Sequence, residues 1–533
     1  MKKLSARKKK WIERTVSNNR SYKVLLYNRF FMFLLAVLLQ IIGYGVLIYL
    51  AVYDSPIGIL LQTVTFALEI VTVLHILNRY ERPSLRLNWI IIILIAPVFG
   101  VPMYLFNGRG RPTRKMKNNI ENARKENERG LIEVYGEKEL PVPATRGEAV
   151  SRYLAVTSGY PVFYSGAVSY YADGAAAFEA MKAEIARAKR FIFVEYFIIA
   201  HGKMWNETLR LLLEKAEQGV QVRILYDDFG CMMTLPPRYD EYLESLHENV
   251  KCMTFNNVVP FFAVRMNNRD HRKLLVIDGE TAFTGGLNLA DEYIGEKRRF
   301  GYWKDTAVKI TGESVRSFTY MFLNLWNAFR KEKEDIRDYL SAPIQRAAST
   351  EKTTCIQPYD DSPLDNVSTG ESVYVDILNR AVKYVYIFTP YLVLDDSMRT
   401  ALCRAALRGV DVRIVTPGIP DKKLTYRLTR ANYSLLLKSG VRIFEYTPGF
   451  IHAKSMVCDD ECAVVGSINL DYRSLYHHFE NAVYFSDREA VASVRKDCEE
   501  TFAISRERTE ENFRRGIVGR LVDSVLRVFE TLL

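Results

Sequence analysis

Three apolar stretches occupy residues 30–106. The first, residues 30–52, is hydrophobic over 23 positions with a single strongly polar interruption, which is long enough to cross about 30 Å of hydrocarbon. Residues 57–77 and 87–106 form two further apolar stretches. Pro97 interrupts the last of them, and proline inside a helix removes a hydrogen bond and kinks the backbone. The pattern predicts a transmembrane helical region whose third segment is irregular.

Basic residues on both sides of these stretches indicate their orientation. The tail formed by residues 1–29 carries ten Lys and Arg residues against one acidic residue, and another basic run follows Phe106. Because positively charged segments stay in the cytoplasm, both ends of the anchor are expected there. Three complete crossings cannot satisfy this, so we expect the third stretch not to cross. The sequence thus predicts a multi-pass protein of the cell membrane, with its remaining domains on the cytoplasmic face beyond a charged juxtamembrane linker at residues 107–145.

Beyond the linker, short apolar runs alternate with amphipathic helical stretches. This alternation is typical of strand–helix–strand units and predicts an α/β fold. The pattern occurs twice, because GVQVRIL at 219–225 returns as GVDVRIV at 409–415, 190 residues later. Such a period indicates two copies of one unit. We place the first copy at residues 146–335 and the second at 355–510, and we expect residues 511–533 to form a C-terminal amphipathic helix.

The chain is basic, with a net charge of +11 and a pI near 9.1. This charge suits nucleic acid, an anionic lipid surface or a phosphorylated small molecule as partner. Charge alone leaves the three open, because much of the excess lies in the N-terminal tail. The seven cysteines are scattered, with no Cys-x-x-Cys pair and no zinc-ligand spacing, which predicts reduced, buried thiols. We expect no metal and no cofactor.

Residues that can carry chemistry occur in two matched strings. The first copy contains HxKxxxxD followed by GGLN, and the second contains the same elements followed by GSIN. The spacing from histidine to asparagine is 17 in both copies, from 288 − 271 and 469 − 452. The residues are His271, Lys273, Asp278 and Asn288 in the first copy and His452, Lys454, Asp459 and Asn469 in the second. Two such strings at equal spacing predict one site built from both copies.

Two histidines and two lysines in one cleft suit a phosphodiester. Residues i and i+2 of a strand share a face, so each histidine is expected to point the same way as its lysine. The ammonium groups balance the anionic oxygens in the transition state, one imidazole attacks phosphorus, and the other protonates the leaving oxygen. The two asparagines add neutral donors to the same oxygens. Because the lysines already supply positive charge, this chemistry requires no metal.

Two acidic residues are candidates to orient the histidines. A carboxylate on the second ring nitrogen fixes the tautomer of an attacking imidazole and stabilises its developing charge. Glu480 lies 28 residues beyond His452, and Asp305 lies 34 residues beyond His271. Both are grouped with the asparagines as substrate-binding residues. Each is expected to orient a histidine of its own half or of the opposite half.

The two motif aspartates, Asp278 and Asp459, allow a second interpretation. They are grouped with the catalytic residues because they complete the motif, but each stands at a turn that closes a strand. A carboxylate in such a turn commonly accepts hydrogen bonds from backbone amides. We favour this capping role, in which neither aspartate touches the substrate. His477 and His478 lie close to Glu480 in sequence but show no repeated pattern.

The two motif segments also resemble those of a known family. DHRKLLVIDGETAFTGGLNLADEY and IHAKSMVCDDECAVVGSINLDYRS resemble the signatures of the phospholipase D superfamily. More narrowly, ERPSLRLNWIIIILIAPVFGVPMYLFNGR is similar to the membrane-anchor segment of bacterial cardiolipin synthases, and the resemblance runs from about residue 57 to the C terminus. The resemblance implies two tandem phospholipase D-like α/β sandwich domains that form a pseudo-twofold pair.

The resemblance also implies a reaction and its partners. A phosphatidyl group would pass from one phosphatidylglycerol to another through a phosphohistidine, giving cardiolipin and glycerol. Phosphatidylglycerol and anionic lipid headgroups are then the expected partners, and nucleic acid is not. Six positions carry over, with His271 favoured as the nucleophile: His271, Lys273, Asn288, His452, Lys454 and Asn469. One departure is Gly286, where many members of the superfamily have serine, so one expected hydrogen-bond donor is missing.

Three alternatives remain open from the sequence. A hydrolase or another phosphatidyltransferase of the same superfamily would resolve the phosphohistidine with water or with a different alcohol, and motifs do not distinguish these acceptors. A nuclease would fit the basic charge but gains little from a bilayer anchor. A scaffold without activity is disfavoured because every expected catalytic element is present. The C-terminal helix is expected either to lie on lipid or to pack against the catalytic domains.

Overall fold

The structure is a computed structural model that describes most of the chain from residue 56 onwards. The described ranges are 56–79, 83–108, 112–136, 146–257, 267–340, 354–365, 367–513, 516–528 and 530, with scattered positions between 38 and 50. The predicted basic tail at residues 1–29 lies outside them, as does most of the predicted first span at residues 30–52.

Four helices precede the first repeat. They are α1 (Pro56–Leu77), α2 (Pro83–Ile95), α3 (Pro97–Asn107) and α4 (Arg114–Tyr135). Within the described ranges, one helical stretch, Gly58–Leu77, has the length and the apolar composition needed to cross a bilayer. It coincides with the second of the three predicted spans.

The predicted third span at residues 87–106 is a hairpin rather than one helix. Trp89 of α2 packs edge-on against Tyr104 of α3, with ring centroids 5.4 Å apart, whereas 15 residues of one continuous helix would separate them by about 22 Å. The break falls at Ala96, because Pro97 disfavours helical backbone in the residue before it. The two arms have 13 and 11 residues, and neither can cross about 30 Å of hydrocarbon alone.

The first half is built around a seven-stranded sheet. Its strand order is β1-β8-β6-β5-β2-β3-β4, with β2, β3 and β4 parallel. Its elements are α5 (Arg146–Thr157), β1 (Ala167–Tyr171), α6 (Gly174–Arg187), β2 (Phe191–Tyr196), α7 (Lys203–Glu217), β3 (Gln221–Asp227), α8 (Asp228–Cys231), α9 (Tyr239–Leu246), β4 (Val250–Phe255), β5 (Lys273–Ile277), β6 (Thr281–Gly285), β7 (Tyr302–Lys304), β8 (Ala307–Thr311) and α10 (Val315–Phe329).

Both faces of this sheet are covered. On β2, Phe191 and Phe193 enter one apolar cluster, while Ile192 and Val194 enter another. Alternate residues of a strand point to opposite faces, so the two clusters lie on the two sides of the sheet. This explains why FIFVEY is apolar without alternation, as in other sheets that are buried on both faces.

The second half repeats the arrangement with one additional strand, in the order β17-β12-β11-β10-β14-β15-β16-β9. All seven strands of the first sheet have counterparts in the second sheet, read from β9 to β12, so the predicted α/β fold with two copies is confirmed. The elements are β9 (Ile356–Asp361), α11 (Thr369–Arg380), β10 (Tyr384–Phe388), α12 (Asp396–Leu407), β11 (Asp411–Pro417), α13 (Lys423–Ala431), α14 (Tyr433–Lys438), β12 (Arg442–Tyr446), β13 (Gly449–Ile451), β14 (Ser455–Cys458), β15 (Cys462–Gly466), α15 (Tyr472–Tyr476), β16 (Glu480–Phe485), α16 (Arg488–Ala503), β17 (Ser505–Arg508) and α17 (Ile517–Val528).

The two halves pack against each other. Strand β7 of the first half pairs in parallel with β13 of the second, and Trp303 lies opposite Phe450. The largest apolar cluster contains side chains of both halves, including Phe322 of α10 and Val464 of β15. This common core fixes the position of one sheet relative to the other. A site that takes residues from both halves requires such a fixed position.

The stretch expected to be a juxtamembrane linker contributes a packed helix. α4 buries one face against α10, where Asn127 Nδ2 donates to Asn324 Oδ1 at 2.8 Å. Arg124 of α4 also forms an ion pair with Asp360 of β9, with 2.7 Å between Nη2 and Oδ2. These contacts reach both halves, so α4 connects the N-terminal helices to the folded core through defined polar contacts.

Candidate active site

Each motif histidine is fixed by a backbone hydrogen bond to the opposite half. His271, just before β5, donates its N–H to the Phe479 carbonyl at 2.8 Å. His452, just before β14, donates its N–H to the Lys304 carbonyl at 2.7 Å. Each acceptor directly precedes one of the two candidate carboxylates. The junction between the halves therefore positions the histidine and its carboxylate together.

Both carboxylates reach the histidine of the opposite half. Nδ1 of His271 lies 2.8 Å from Oε1 and 2.9 Å from Oε2 of Glu480. Nδ1 of His452 lies 2.6 Å from Oδ2 of Asp305. A carboxylate oxygen that accepts from Nδ1–H leaves the lone pair on Nε2. Burial raises the pKa of Glu480 well above its ordinary value, and Lys273 and two serine hydroxyls oppose this shift. The sequence did not decide whether each carboxylate orients the histidine of its own half or of the opposite half. In the structure, both histidine–carboxylate pairs join the two halves.

The motif lysines lie beside their histidines, as the strand alternation predicts. The Nζ atoms of Lys273 and Lys454 donate to the backbone carbonyls of His271 and His452, respectively. Burial lowers the pKa of Lys273 to about 7, with Glu480 opposing the shift. Burial likewise lowers the pKa of Lys454 to about 8, against the attraction of Asp305. An anion in the site would restore positive charge on both lysines, because opposite charge favours the ionised form.

The surroundings of both histidines favour the neutral imidazole. Burial, together with the positive charge of Lys273, lowers the pKa of His271 well below its ordinary value. Burial and Lys454 lower the pKa of His452 to about 4, although Asp305 raises it in part. A neutral imidazole is the form that can attack phosphorus. The protonated form is more strongly favoured in His452 than in His271, because Asp305 raises the pKa of His452 against the effects of burial and Lys454.

The two motif asparagines are engaged differently. Asn288 accepts from the Ile198 N–H at 3.0 Å and donates to the Tyr293 hydroxyl at 2.7 Å. Asn469 is buried, and its Oδ1 has no hydrogen-bond partner among the described residues. The Asn288 side chain therefore supports the loop beside the site, while Asn469 keeps amide capacity for a ligand.

The departure at Gly286 has a steric cause. A Cβ at this position would lie 2.0 Å from Oδ1 of Asp305, so the carboxylate fills the space of a side chain. At the corresponding position of the second half, the Ser467 hydroxyl donates to Oε2 of Glu480 at 2.5 Å. The serine thus holds a carboxylate instead of serving as a free donor for phosphate, and its absence from the first half removes no such donor.

The two motif aspartates, Asp278 and Asp459, accept hydrogen bonds from three successive backbone N–H groups each. The distances are 2.8 to 2.9 Å for Asp278 and 2.7 to 2.8 Å for Asp459. Each lies five residues beyond the motif lysine, or roughly 16 Å along an extended strand. Both carboxylates cap the start of a neighbouring strand, which favours the capping role, and their grouping with the catalytic residues stays a prediction. The donors are Lys189, Arg190 and Phe191, and Val382, Lys383 and Tyr384.

The sequence interpretation missed a ring beside each histidine. Trp303 lies 5.6 Å from His452 between ring centroids, and His478 lies 5.6 Å from His271. Trp303 and His478 each stand two residues before the carboxylate, so they are equivalent positions of the repeat. The aligned segments YWKD and HHFE contain both rings at the same position, but one residue is a tryptophan and the other a histidine, so the repeat was not recognisable there. These rings form one wall of the site next to each imidazole.

One group in the site has the geometry of a metal site. Ligand atoms of His271, His478 and Glu480 lie within 4.8 Å of one another. The positive charge of Lys273 contributes to lowering the pKa of both imidazoles, and the same charge repels a cation. The arrangement suits an anionic group better than a metal ion, so the expectation of no metal stays a prediction.

Comparison with known proteins identifies the family. The family described as "Cardiolipin synthase, PLD-like domain" matches residues 181–326 and 374–502. A cardiolipin synthase of Geobacillus kaustophilus is 32% identical over 472 residues, which cover 87% of this chain and 91% of that protein. An uncharacterized protein of Streptococcus mutans is 41% identical over 469 residues, covering 87% of this chain and 99% of that relative.

A solved structure shows the same fold. The crystal structure of a phosphatidylserine synthase from Haemophilus influenzae superposes with a TM-score of 0.56 and covers 73% of this chain and 100% of that one. The two are 16% identical, so this likeness concerns the fold alone. The matched family model and the relatives carry the assignment: the chain belongs to the cardiolipin synthase family of phospholipase D-like phosphatidyltransferases.

Proposed function

We propose that the protein is a cardiolipin synthase, which transfers a phosphatidyl group from one phosphatidylglycerol to another and releases glycerol. The observation that carries this proposal is the pair of imidazoles, each held through Nδ1 by a carboxylate of the opposite half. Two such imidazoles beside two lysines supply a nucleophile, an acid and charge stabilisation in one site.

In the first step, Nε2 of His271 attacks phosphorus of phosphatidylglycerol. His452 takes up a proton on Nε2 from solvent when the phosphodiester anion binds. The bond from phosphorus to the glycerol oxygen then breaks, and that oxygen takes the proton from Nε2 of His452. A phosphatidyl-histidine and free glycerol result. We assign the acid role to His452 because Asp305 favours its protonated form. The entering phosphodiester anion raises the same pKa further, since opposite charge favours the charged imidazole.

In the second step, a second phosphatidylglycerol occupies the place of the released glycerol. His452, now neutral, takes the proton of its terminal hydroxyl, and the oxygen attacks phosphorus. The phosphorus–nitrogen bond to His271 breaks and cardiolipin forms. Glu480 holds His271 in one tautomer throughout and stabilises its positive charge. Water entering at this step would give phosphatidate instead.

The remaining site residues act on the phosphoryl oxygens. Lys273 and Lys454 carry full positive charge once the anion is bound, and Asn469 adds a neutral donor. Fixed donors and charges of this kind stabilise a transition state without reorganising. Asn288 acts indirectly, through the Tyr293 hydroxyl to which it donates.

The protein's position follows from its substrate. We place α1 across the cell membrane and the α2–α3 hairpin in one leaflet, with both phospholipase D-like halves on the cytoplasmic face. Phosphatidylglycerol and anionic headgroups are the proposed partners, and nucleic acid is not. The basic N-terminal tail would then face anionic lipid in the cytoplasmic leaflet.

Product analysis tests the proposal. Detergent-solubilised protein is incubated with phosphatidylglycerol that is labelled in its headgroup glycerol and in its acyl chains. We expect one cardiolipin for each glycerol released, and none with the matched variant His271→Ala. Release of glycerol with phosphatidate as the only lipid product would reject the synthase and establish the hydrolase.

A further inference from the structure

The C-terminal helix α17 turns its apolar side away from the protein. Ile517, Leu521 and Val525 are exposed to 78%, 66% and 55%. They are spaced four residues apart and therefore share one face of the helix. A helix that only completes a globular core turns this face inward, so the core does not explain the orientation of α17.

The opposite, polar side of α17 faces the protein. Asp523 is buried and accepts from Arg427 of α13, with 2.9 Å between Nε and Oδ1. Arg527 donates from Nη2 to the Ala431 carbonyl at the end of α13 at 2.7 Å. These polar contacts fix the rotation of α17 about its axis, so the outward direction of the apolar residues is specified by the fold.

The outward apolar face adjoins the N-terminal helices. Leu526 of α17 packs beside Leu85 of α2 in one cluster with Leu428 of α13, and Asn88 Nδ2 donates to the Arg527 carbonyl at 3.4 Å. α2 itself exposes apolar side chains, including Leu94 at 57% and Ile95 at 78%. α17 and α2 therefore present exposed apolar residues on adjoining parts of one surface.

Positive charge borders the same surface. Lys422 and Lys423, at the start of α13, are exposed, and Leu424 beside them is 44% exposed. Lys423 lies one turn before Arg427, the residue that binds α17. Apolar side chains flanked by lysines are the combination that favours an anionic bilayer surface, and a purely protein partner would not require the continuity with α2.

We propose that Ile517, Leu521, Val522 and Val525, here called the α17 lipid face, insert into the headgroup region of an anionic bilayer as a second membrane contact beside the N-terminal helices. The inference deepens the proposed function and rests on it for its purpose, because a phosphatidyl transfer between two lipids needs the site at the interface. The occupant of the face is lipid, not a second copy of the chain.

The contact lies next to the second motif. Tyr472 belongs to the cluster that joins α17, α13 and α2, and it follows Asn469 by three residues. Asp421, which precedes Lys422, is among the acidic residues that raise the pKa of Lys454 against burial. The α17 lipid face would thus hold the His452 side of the site at the membrane surface, where a headgroup can enter while its acyl chains remain in the bilayer.

A depth measurement tests the contact without turnover. A spin label is attached to L521C in full-length protein whose partly exposed Cys355 and Cys403 are replaced by serine, reconstituted in vesicles of phosphatidylglycerol and phosphatidylcholine. The matched control is L407C, a 72% exposed leucine at the end of α12. We expect oxygen to relax the label at position 521 at least about threefold more than at position 407, and a water-soluble nickel complex to relax it less. Equal water access at both positions, or shielding of position 521 from both reagents by a second copy, would overturn the proposal.

Activity in two lipid formats gives the second test. We expect L521D/V525D to lower the rate of cardiolipin formation in vesicles about tenfold and to leave the rate unchanged with phosphatidylglycerol in detergent micelles. L407D is the control and should change neither. An equal loss in both formats, or no loss in vesicles, would contradict a lipid contact. If wild-type protein makes no cardiolipin, the proposed function fails while the depth measurement still decides the contact.

Discussion

Each half of the site orients one catalytic histidine with a carboxylate, but the carboxylate and its neighbours differ between the halves. In the first half, Asp305 holds His452, and its own carboxylate fills the space beside Gly286. In the second half, the longer Glu480 holds His271 and accepts from the Ser467 hydroxyl. Ser474 adds a second hydroxyl to Glu480 at 2.6 Å.

The difference suits the two proposed roles. The nucleophile needs a fixed tautomer and orientation, and a carboxylate held by two hydroxyls and one imidazole has little freedom to move. The acid must gain and lose a proton within one turnover, and Asp305 favours protonated His452 without a hydroxyl competing for its Oδ2. Unequal surroundings of paired titratable groups commonly divide acid and base roles. The comparison therefore predicts unequal responses to matched substitutions.

Removing the histidines should have the largest effect. His271→Ala should lower kcat by about 10⁴-fold or more, because the covalent step is lost, and His452→Ala by about 10²- to 10⁴-fold through loss of acid–base catalysis. Samples quenched in detergent at neutral pH, which preserves the acid-labile phosphorus–nitrogen bond, and analysed by mass spectrometry should show a phosphatidyl adduct on the His271 peptide in His452→Ala and none in His271→Ala. His247→Asn, away from both motifs, is the control.

An adduct on His452 in the His271→Ala variant would reverse the two roles. It would also show that Glu480, which accepts from two serine hydroxyls, orients the acid and not the nucleophile. The difference between the halves would then have to be explained with His271 as the acid and His452 as the nucleophile.

Exchanging the residues beside the two carboxylates, Gly286 and Ser467, should give the next largest effect. G286S places a Cβ 2.0 Å from Oδ1 of Asp305 and should displace this carboxylate from His452, lowering kcat by about 10²- to 10³-fold, as mispositioned triads do. S467G removes one hydrogen bond from Glu480 and should cost about 3- to 10-fold, because a typical hydrogen bond contributes roughly 1 kcal/mol. Steady-state kcat and KM separate these losses from weaker binding.

The double variant G286S/D305E sharpens this test. It gives the first half the serine and glutamate of the second, so the longer carboxylate can accept from the new hydroxyl. We expect partial recovery relative to G286S, which is a favourable coupling in the mutant cycle. If the losses of G286S and D305E simply added in the double variant, a Ser–Glu pair could not replace the Gly–Asp pair in orienting His452.

The lysines should give a smaller, pH-dependent effect. Burial lowers the pKa of Lys273 to about 7 and that of Lys454 to about 8, so both lose positive charge as the pH rises through these values. The inhibition constant of sulfate, which does not titrate in this range, should rise about tenfold per pH unit above 7 and more steeply above 8. Lys273→Arg keeps its charge at these pH values and should remove the first inflection, while Lys297→Arg, on the surface, should not. A flat profile in wild type would mean that both lysines stay charged without an anion.

Much of this arrangement was predictable from the repeat. Equal spacing placed both histidines, both lysines and both asparagines at corresponding positions, and alternation along the strands placed each lysine beside its histidine. The exchange of carboxylates between halves was not predictable, because it depends on the pairing of β7 with β13, whose paired residues are 147 positions apart in sequence, from 449 − 302. His478 was missed because its counterpart Trp303 has a different side chain, although each ring packs on a histidine.

Other parts of the fold show where local sequence falls short. The sequence of residues 87–106 predicted an irregular segment that does not cross the membrane, but its hairpin shape depends on the tertiary contact of Trp89 with Tyr104. The outward apolar face of α17 depends on where Arg427 stands in the folded chain. Asp278 and Asp459 belong to the motif by spacing, while their role depends on the strand that starts beside them.

The smallest effect on catalysis is expected from these two aspartates. Asp278→Asn and Asp459→Asn keep a residue that tolerates the positive φ of 55° and 54° found there. Each replaces one accepting oxygen with an amide donor that faces a backbone N–H. Each should lower the free energy of unfolding by about 1–3 kcal/mol and change kcat per folded molecule by less than about twofold, because neither contacts the histidines. Thermal unfolding in detergent and active-site titration measure the two quantities separately.

Asp460→Asn provides the matched control within the same turn. Asp460 also has a positive φ, of 60°, but its carboxylate pairs with the partly exposed Arg495 at 3.0 Å and accepts from the Tyr384 hydroxyl at 2.7 Å, a hydrogen bond that the asparagine oxygen can keep. An exposed pair of this kind contributes about 0–1 kcal/mol, so this variant should be nearly as stable as wild type. A large loss of kcat in Asp278→Asn or Asp459→Asn with unchanged stability would return the motif aspartates to the catalytic group. Equal stability of Asp459→Asn and Asp460→Asn would instead show that capping three amides adds little, and the spacing of the motif would then lack its structural explanation.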